Sequence, residues 1–489
     1  MAQHPGVGPA SSAWSHRFAE ELPELVTPWQ ADVPTEPRPV TLNHELASEV
    51  GIAPSTLQDP EGLRDLLRGD GSAVAMAYAG HQFGNYSPLL GDGRALLLGE
   101  ATDKRLDIHL KGSGATPFAR AGDGKAALGP MLREYVVAEA MHALGLPTTR
   151  SLAVISTGDT VRREGAKPGA ILVRVAASHL RVGTFELAAR ASDPDVLQRL
   201  ADHAISRHYP EVADSDNPYL GLLDAVVAAQ ADLIAQWMSV GFIHGVMNTD
   251  NMTISGQTID YGPCAFLDEF TPGAVFSSID HGGRYAYANQ PGVGLWNLSR
   301  FAETVLRLLS SDPDEGVALA TASVTKYEAI YQAAWRARML AKLGLPDTTA
   351  DSTLVEQLLE LLDRHGADYT STFGELATWL ERPSAHTESA LWTAPEWTAW
   401  LDRWRDAMNV AGLEGPTVAS RMRQVNPTRI PRNHLLEEAL DAAETGDLEP
   451  VHELIDAVTD PYGMRPHPER YAAAPPPGFT ASHQTFCGT

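Results

Sequence analysis

The chain has 489 residues, 44% of them hydrophobic, and a formal net charge of -25 at pH 7. Core size is therefore not limiting, and the length suits two or three average domains or one two-lobed domain with extensions. So acidic a balance argues against nucleic acid or an anionic membrane as a partner held by bulk electrostatics. Cys264 and Cys487 are too few for a secreted disulfide framework. Residues 1–13 lack the basic flank and apolar core of a signal peptide, and no apolar run is expected to approach the roughly 18 residues of a membrane span. A cytoplasmic, monomeric protein is expected.

Residues 1–75 are proline-rich at first, carry one short helical pattern at 56–67, and read as an extension wrapped on the main domain. A Gly91-Asp92-Gly93 turn then precedes strand-like runs at 94–100 and 106–111, and Asp-Gly between apolar runs is a hairpin signal. A glycine-rich segment, 112–129, leads to a helix opening at Pro130. Its apolar residues Leu132, Val136, Ala140 and Leu144 recur every four positions, and Gly145 before Pro147 closes it. Runs at 151–156 and 170–175 complete a sheet. From Leu187 onward the pattern is mainly helical, clearest at 222–240, with further helices expected at 354–364 and 434–443 before a polar tail containing Cys487. The charge is uneven: residues 101–190 hold thirteen Lys/Arg against eight Asp/Glu, a positive island that suits a compact polyanion.

The densest cluster of informative residues is Gly241-Phe242-Ile243-His244-Gly245-Val246-Met247-Asn248-Thr249-Asp250-Asn251, with Asp260-Tyr261-Gly262 nine positions on. It looks like a protein-kinase catalytic loop, His-Arg-Asp-x-x-x-x-Asn, followed by its metal-binding turn. His244 plus seven is Asn251, as that pattern asks. His244 plus two is Val246, which can neither accept a proton nor bind a metal. Asp250 is the one carboxylate in the loop able to replace the missing base, its bland role being a cap on backbone amides. Lys111, ending a strand after the glycine turn, stands where a kinase places its phosphate lysine, with Glu134 on the following helix as its ion-pair partner. Asp260 and Asn251 offer the oxygen ligands that a hard divalent ion prefers. Arg174 and Arg181 are of the type that clamps phosphate oxygens, although a lone arginine is usually a solvated surface charge. His81 and His109 read as packed or hydrogen-bonded histidines rather than catalysts, and neither has a second ligand at zinc spacing.

At these residues the chain resembles the selenoprotein O (SelO/YdiU) family of protein adenylyltransferases. The likeness is densest at 78–94, 110–129, 147–150, 173–185, 244–251 and 260–263. It implies an α+β, protein kinase-like two-lobed fold. The N-terminal extension would be residues 1–75, the small nucleotide-binding lobe 76–186, the large lobe with catalytic loop and metal site 187–345, and a helical C-terminal extension 346–489. It also implies transfer of AMP from ATP, bound in a flipped orientation, to Ser, Thr or Tyr hydroxyls of proteins, with release of pyrophosphate. Nucleotide-binding positions then fall on Gly91, Gly93, Arg94, Lys111, Asp123, Gly124, Arg174, Arg181 and Asp260. Asp250 becomes the proton acceptor, Asn251 and Asp260 the ligands of Mg2+ or Mn2+, and Glu134 the partner of Lys111. UTP is a possible alternative donor. In the family a C-terminal Cys or selenocysteine can pair with a Cys after the Asp-Tyr-Gly turn. Cys487 fits the first role, but Phe276 stands near the partner's position, and Cys264 reads as a small buried apolar residue. An ordinary γ-phosphate kinase, disfavoured by Val246, and an inactive nucleotide-binding scaffold are the alternatives.

Overall fold

The computed structural model describes residues 14–101, 104–163, 165–349, 351–382 and 390–486. Cys487 and residues 1–13 lie outside them. The chain is a mixture of helix and strand built on a large antiparallel sheet, whose strands run in the spatial order Val26–Pro28, Val74–Met76, Ala95–Ala101, Leu106–Lys111, Gly165–Ala176, Arg150–Arg163 and Arg38–Leu42. Trp14–Ser15 pairs with Ala95–Ala101 and Ala126–Ala127 with Gly165–Ala176. Three strands from residues 14–42 are thus part of this sheet.

The period-2 alternation of strands decides which residues meet the site. Ile171, Val173 and Val175 join Leu98, Ile108, Leu110 and the helix Pro60–Arg68 in one core cluster. Leu172 and Val154 face the opposite way, toward Leu132, Val136 and the helix Leu128–Ala143. His109 and Lys111 alternate with Ile108 and Leu110, so they share this second face. Their cross-strand partners are Arg174 and Leu172. The sheet therefore presents His109, Lys111 and Arg174 to the helix that carries Glu134.

That helix opens at Leu128, two residues before the proline expected to start it, and ends as the sequence indicates. Gly145, at φ 80°, and Leu146 donate their N–H groups to the carbonyls of His142 and Met141, the paired bonds of a Schellman cap. From the far side it is braced by Asn433–Glu444 and Glu449–Val458, with Arg133 paired to Glu437. The expected Asp92-Gly93 hairpin is corrected. The tight hairpin lies upstream, Gly80–Gln82 against Asn85–Ser87, while Gly91 and Asp92 donate to the carbonyls of Tyr78 and Met76 and so run beside them. Gly91, at φ 71°, lies over the Phe118 ring, where no Cβ would fit.

The helix expected at 222–240 spans Pro218–Val240, capped by Asn217 accepting from Leu220 N (3.1 Å) and by Gly241 at φ 73°. It is long and apolar enough to cross a membrane by length and composition. This corrects the expectation that no run comes near that length. In the fold it is a core helix: Leu222, Val226, Leu233 and Ile234 are buried against Gln290–Leu309 and Pro313–Lys342, and its two carboxylates, Asp224 and Asp232, pair with Lys326 and Arg338. Helices at Leu354–His365 and Asn433–Glu444 match the later patterns to within one residue at each end.

Candidate active site

Immediately after Gly241 the chain forms a two-stranded ribbon, Phe242–Ile243 with Ala265–Phe266, so the loop between its strands begins and ends at one place. Within that loop His244 Nε2 donates to the Ile259 carbonyl at 2.9 Å and Nδ1 accepts from Val246 N at 3.4 Å. His244 is buried, and burial pushes its imidazole below the ordinary value, toward the neutral form these two bonds require. It clamps the first half of the loop to Ile259, the residue before Asp260. Gly245, at φ 83°, packs where any Cβ would meet the Pro263 carbonyl, which accounts for glycine where a kinase has arginine.

A cavity of about 280 Å³ lies between this loop and the sheet. Lys111, Arg94, Arg174, Arg181, Asp250, Asn251 and Asp260 line it, together with Val246. Asp260 sits at φ 63°, a left-handed conformation that Asp tolerates better than most residues. Its Oδ1 accepts from Lys111 Nζ at 2.6 Å and from Arg174 Nη1 at 2.9 Å. Lys111 also donates to Glu134, whose Oε2 lies 4.0 Å from Arg174 Nη1. Burial pushes the Asp260 carboxyl up, but Lys111, Arg174 and Arg181 more than reverse this and hold it well below the carboxylate range.

Asp250 is in a different state. It is buried in the turn Thr249–Asn251, its Oδ2 meets only Gln82 Nε2 at 3.4 Å, and its Oδ1 has no partner among the described residues. Burial raises its carboxyl to about 6, against the pull of its own amide, Arg181 and Gln82. Gly80 makes room for it: a Cβ there would stand 2.5 Å from Oδ1. Arg181 donates to the Asp250 carbonyl (3.3 Å) and lies 4.3 Å above the Tyr78 ring. Asn251 uses its amide on the Val246 carbonyl at 3.0 Å, which leaves its Oδ1 for a ligand.

Not every expected residue reaches the cavity. Gly91 and Gly93 flank Asp92, which lines it, without lining it themselves. Asp123 is half-exposed and bonded to Arg163 at 2.9 and 3.1 Å, and Gly124, at φ 67°, is pressed against the backbone of Gly114. Both belong to the glycine-rich flap, and in this structure neither lines the cavity. Sequence reasoning missed Tyr78, Gln82, Phe83, Asp92, Asn248 and Ile279, all of which do. Phe83, at φ 51°, carried no signal. Its N–H is held by Asn248 Oδ1 (3.0 Å) and Tyr285 Oη (3.2 Å), a contact between distant segments. Asp92 could have been found, since it stands between two glycines already singled out. Cys264 is buried, with its thiol raised by burial to about 12.

The family model for protein adenylyltransferase SelO matches residues 11–459. The chain belongs to the SelO family. A protein nucleotidyltransferase YdiU of Pseudarthrobacter chlorophenolicus is 55% identical over 487 residues, covering 97% of each chain, and one of Mycolicibacterium paratuberculosis is 55% identical over 491 residues, covering 98% of each. A third, from Cereibacter sphaeroides, is 50% identical and covers 97% of this chain and 99% of its own. As a SelO-family member the protein is an enzyme, a nucleotidyltransferase.

Proposed function

We propose that the protein transfers AMP from ATP to Ser, Thr or Tyr hydroxyls of other proteins, with ATP flipped relative to its pose in a kinase. The observation that carries this reading is the placement of the carboxylates. Val246, at the sequence position of a kinase's base, lines the cavity and can accept no proton, whereas buried Asp250 has a free oxygen beside the same cavity. The acceptor oxygen attacks the α-phosphorus, the bond to the β-phosphate oxygen breaks, pyrophosphate leaves, and the acceptor's proton passes to Asp250. A carboxyl poised near neutrality suits that task. Lys111, Arg174 and Arg181 then hold the departing phosphates, since fixed cations stabilise charge that develops there. Arg94 shares this role, and the flap bearing Asp123 and Gly124, with the Gly91–Gly93 turn, would close on the nucleotide.

Asn251 and Asp260 fit a divalent ion: both line the cavity, both offer an oxygen, and magnesium needs few protein ligands when phosphates supply the rest. When bound, Mg2+ or Mn2+ would neutralise phosphate charge and orient the nucleotide. Residues 76–186 with the Glu134 helix would be the small lobe of a kinase-like fold, its sheet widened by strands of the N-terminal extension (1–75), the ribbon and helices through 345 the large lobe, and residues 346–489 the C-terminal extension. Two cysteines, too few for a secreted disulfide framework, support a cytoplasmic location.

The test is incubation with a divalent metal, a protein acceptor and ATP labelled at the α- or the γ-phosphate. Protein label from the α-position alone is expected. Label from γ alone would make the protein a kinase despite Val246, and α-labelled UTP in place of ATP decides which nucleotide is the better donor.

A further inference from the structure

His109 has no part in the chemistry proposed above, yet it is fully buried directly beneath the phosphate-facing arginines. Its Nδ1 lies 3.1 Å from Arg174 Nη2 and its Nε2 lies 3.1 Å from Asp92 Oδ2. A guanidinium only donates, so Nδ1 must be the acceptor and Nε2 must carry the proton that goes to Asp92. The same Asp92 oxygen accepts from Met76 N at 3.3 Å, and its other oxygen is 3.6 Å from Arg181 Nη2. One imidazole therefore bonds Arg174 directly and reaches Arg181 through a single carboxylate.

The ring is itself immobilised. It stacks on His179, with centroids 4.1 Å apart and planes 16° from parallel. His179 is fixed by Asp107 Oδ2, which accepts from both its backbone N–H (2.9 Å) and its Nδ1 (3.1 Å), while Arg207 holds the other Asp107 oxygen at 2.6 Å. A simple core histidine needs none of this. Here two buried arginines must be kept aimed into a cavity, although each has a buried Nε with no partner, and long side chains lose that aim readily unless something locks their rotamers.

We propose that His109, through its bonds to Arg174 and Asp92, is a positioning residue that presents both arginines to the nucleotide's phosphates. This rests on the reading that Arg174 and Arg181 bind those phosphates, so the experiment is a double-mutant cycle that separates the two ideas. The dissociation constant of ATP with Mg2+ is measured for the full chain and for R174A, H109F, H109F/R174A and H109Q. Phenylalanine keeps the ring and the stack but neither bond. Glutamine can still accept from Arg174 and donate to Asp92.

R174A is expected to weaken ATP about tenfold, H109F by a similar factor, and the double variant little more than either alone, with H109Q within about twofold of the unaltered protein. Fully additive losses in the double variant, or unchanged affinity in H109F, would overturn the positioning role while leaving the phosphate reading intact. Unchanged affinity in R174A would remove both. If H109F does not fold, D92N, which keeps the shape and loses the charge beside Arg181, takes its place in a cycle with R181A: non-additive weakening supports the role and additivity rejects it.

Discussion

On the sheet wall of the cavity, Lys111 and Arg174 already engage Glu134 from the adjoining helix and Asp260 from the far end of the loop at hydrogen-bond or ion-pair distance. On the loop wall, Asp250 keeps one oxygen unpartnered and the other at the end of a 3.4 Å contact. The first wall is an array of cations held in place by carboxylates, so little reorganisation is needed when phosphate charge arrives. The second leaves a desolvated carboxyl under-satisfied, which costs stability and is the kind of local conflict expected at a reacting group. Under the proposed function the contrast separates two jobs: the sheet wall would hold the nucleotide and the loop wall would meet the acceptor.

Removing a member of the ion-paired cluster at the sheet wall should have the largest effect. D260A is expected to abolish protein labelling from α-labelled ATP, and K111A to reduce it by about 10³-fold, because each loses charge stabilisation and leaves the other's partners mismatched. Full activity in both would break the comparison outright. On the loop wall, D250N keeps the shape and loses the base. Its kcat should fall by about 10²–10³-fold with ATP affinity nearly unchanged, whereas an equal loss in affinity would move Asp250 to the nucleotide side. G80A leaves the carboxylate in place but crowds it, since the new Cβ would meet Asp250 Oδ1 and Leu90. A fall in kcat of about tenfold, with the KM for ATP unmoved, is expected from so small a displacement.

Much of the sheet wall was legible in the sequence. A lysine ending a strand, a glutamate on the next helix and the spacing of His244, Asn251 and Asp260 are local patterns, whereas the pairing that sets Lys111 opposite Leu172 joins strands 61 positions apart and is not one. The loop wall was half legible: Asp250 could be named by elimination, but Gln82, Phe83 and Tyr285 arrive from segments 165 to 202 positions away in hydrogen-bonded pairs, which no periodicity encodes. The Asp92-Gly93 hairpin was misplaced because the tight turn there, with Gly93 N donating to the Gly91 carbonyl at 2.9 Å, packs Gly91 on Phe118 and does not join two paired strands. His109 was read correctly as a packed histidine. What sequence could not show is what it is packed between.

The smallest expected effect concerns stability in acid and again sets one wall against the other. Burial pushes His109 down to about 3, aided by His179 and opposed by Asp92. Burial alone would raise Asp92, but His109, Arg181 and Arg174 hold it well below its ordinary value. In the unfolded chain His109 takes up a proton near pH 6.5, and in the folded protein only near 3. The unfolded state thus binds more protons between those values, and stability falls as pH is lowered through that window. Asp92 has the same sign, its contribution being present above about 3.8 and lost below it. His179, also pushed down by burial, adds to the slope beginning near pH 6.5. The thermal unfolding midpoint should therefore drop steadily from pH 6.5 toward 4. H109Q, which keeps both bonds but cannot titrate, should flatten that drop by up to one proton's worth of slope. An unchanged slope in H109Q would mean that the acid sensitivity comes from carboxylates elsewhere and that the imidazole beneath the arginines is not held neutral.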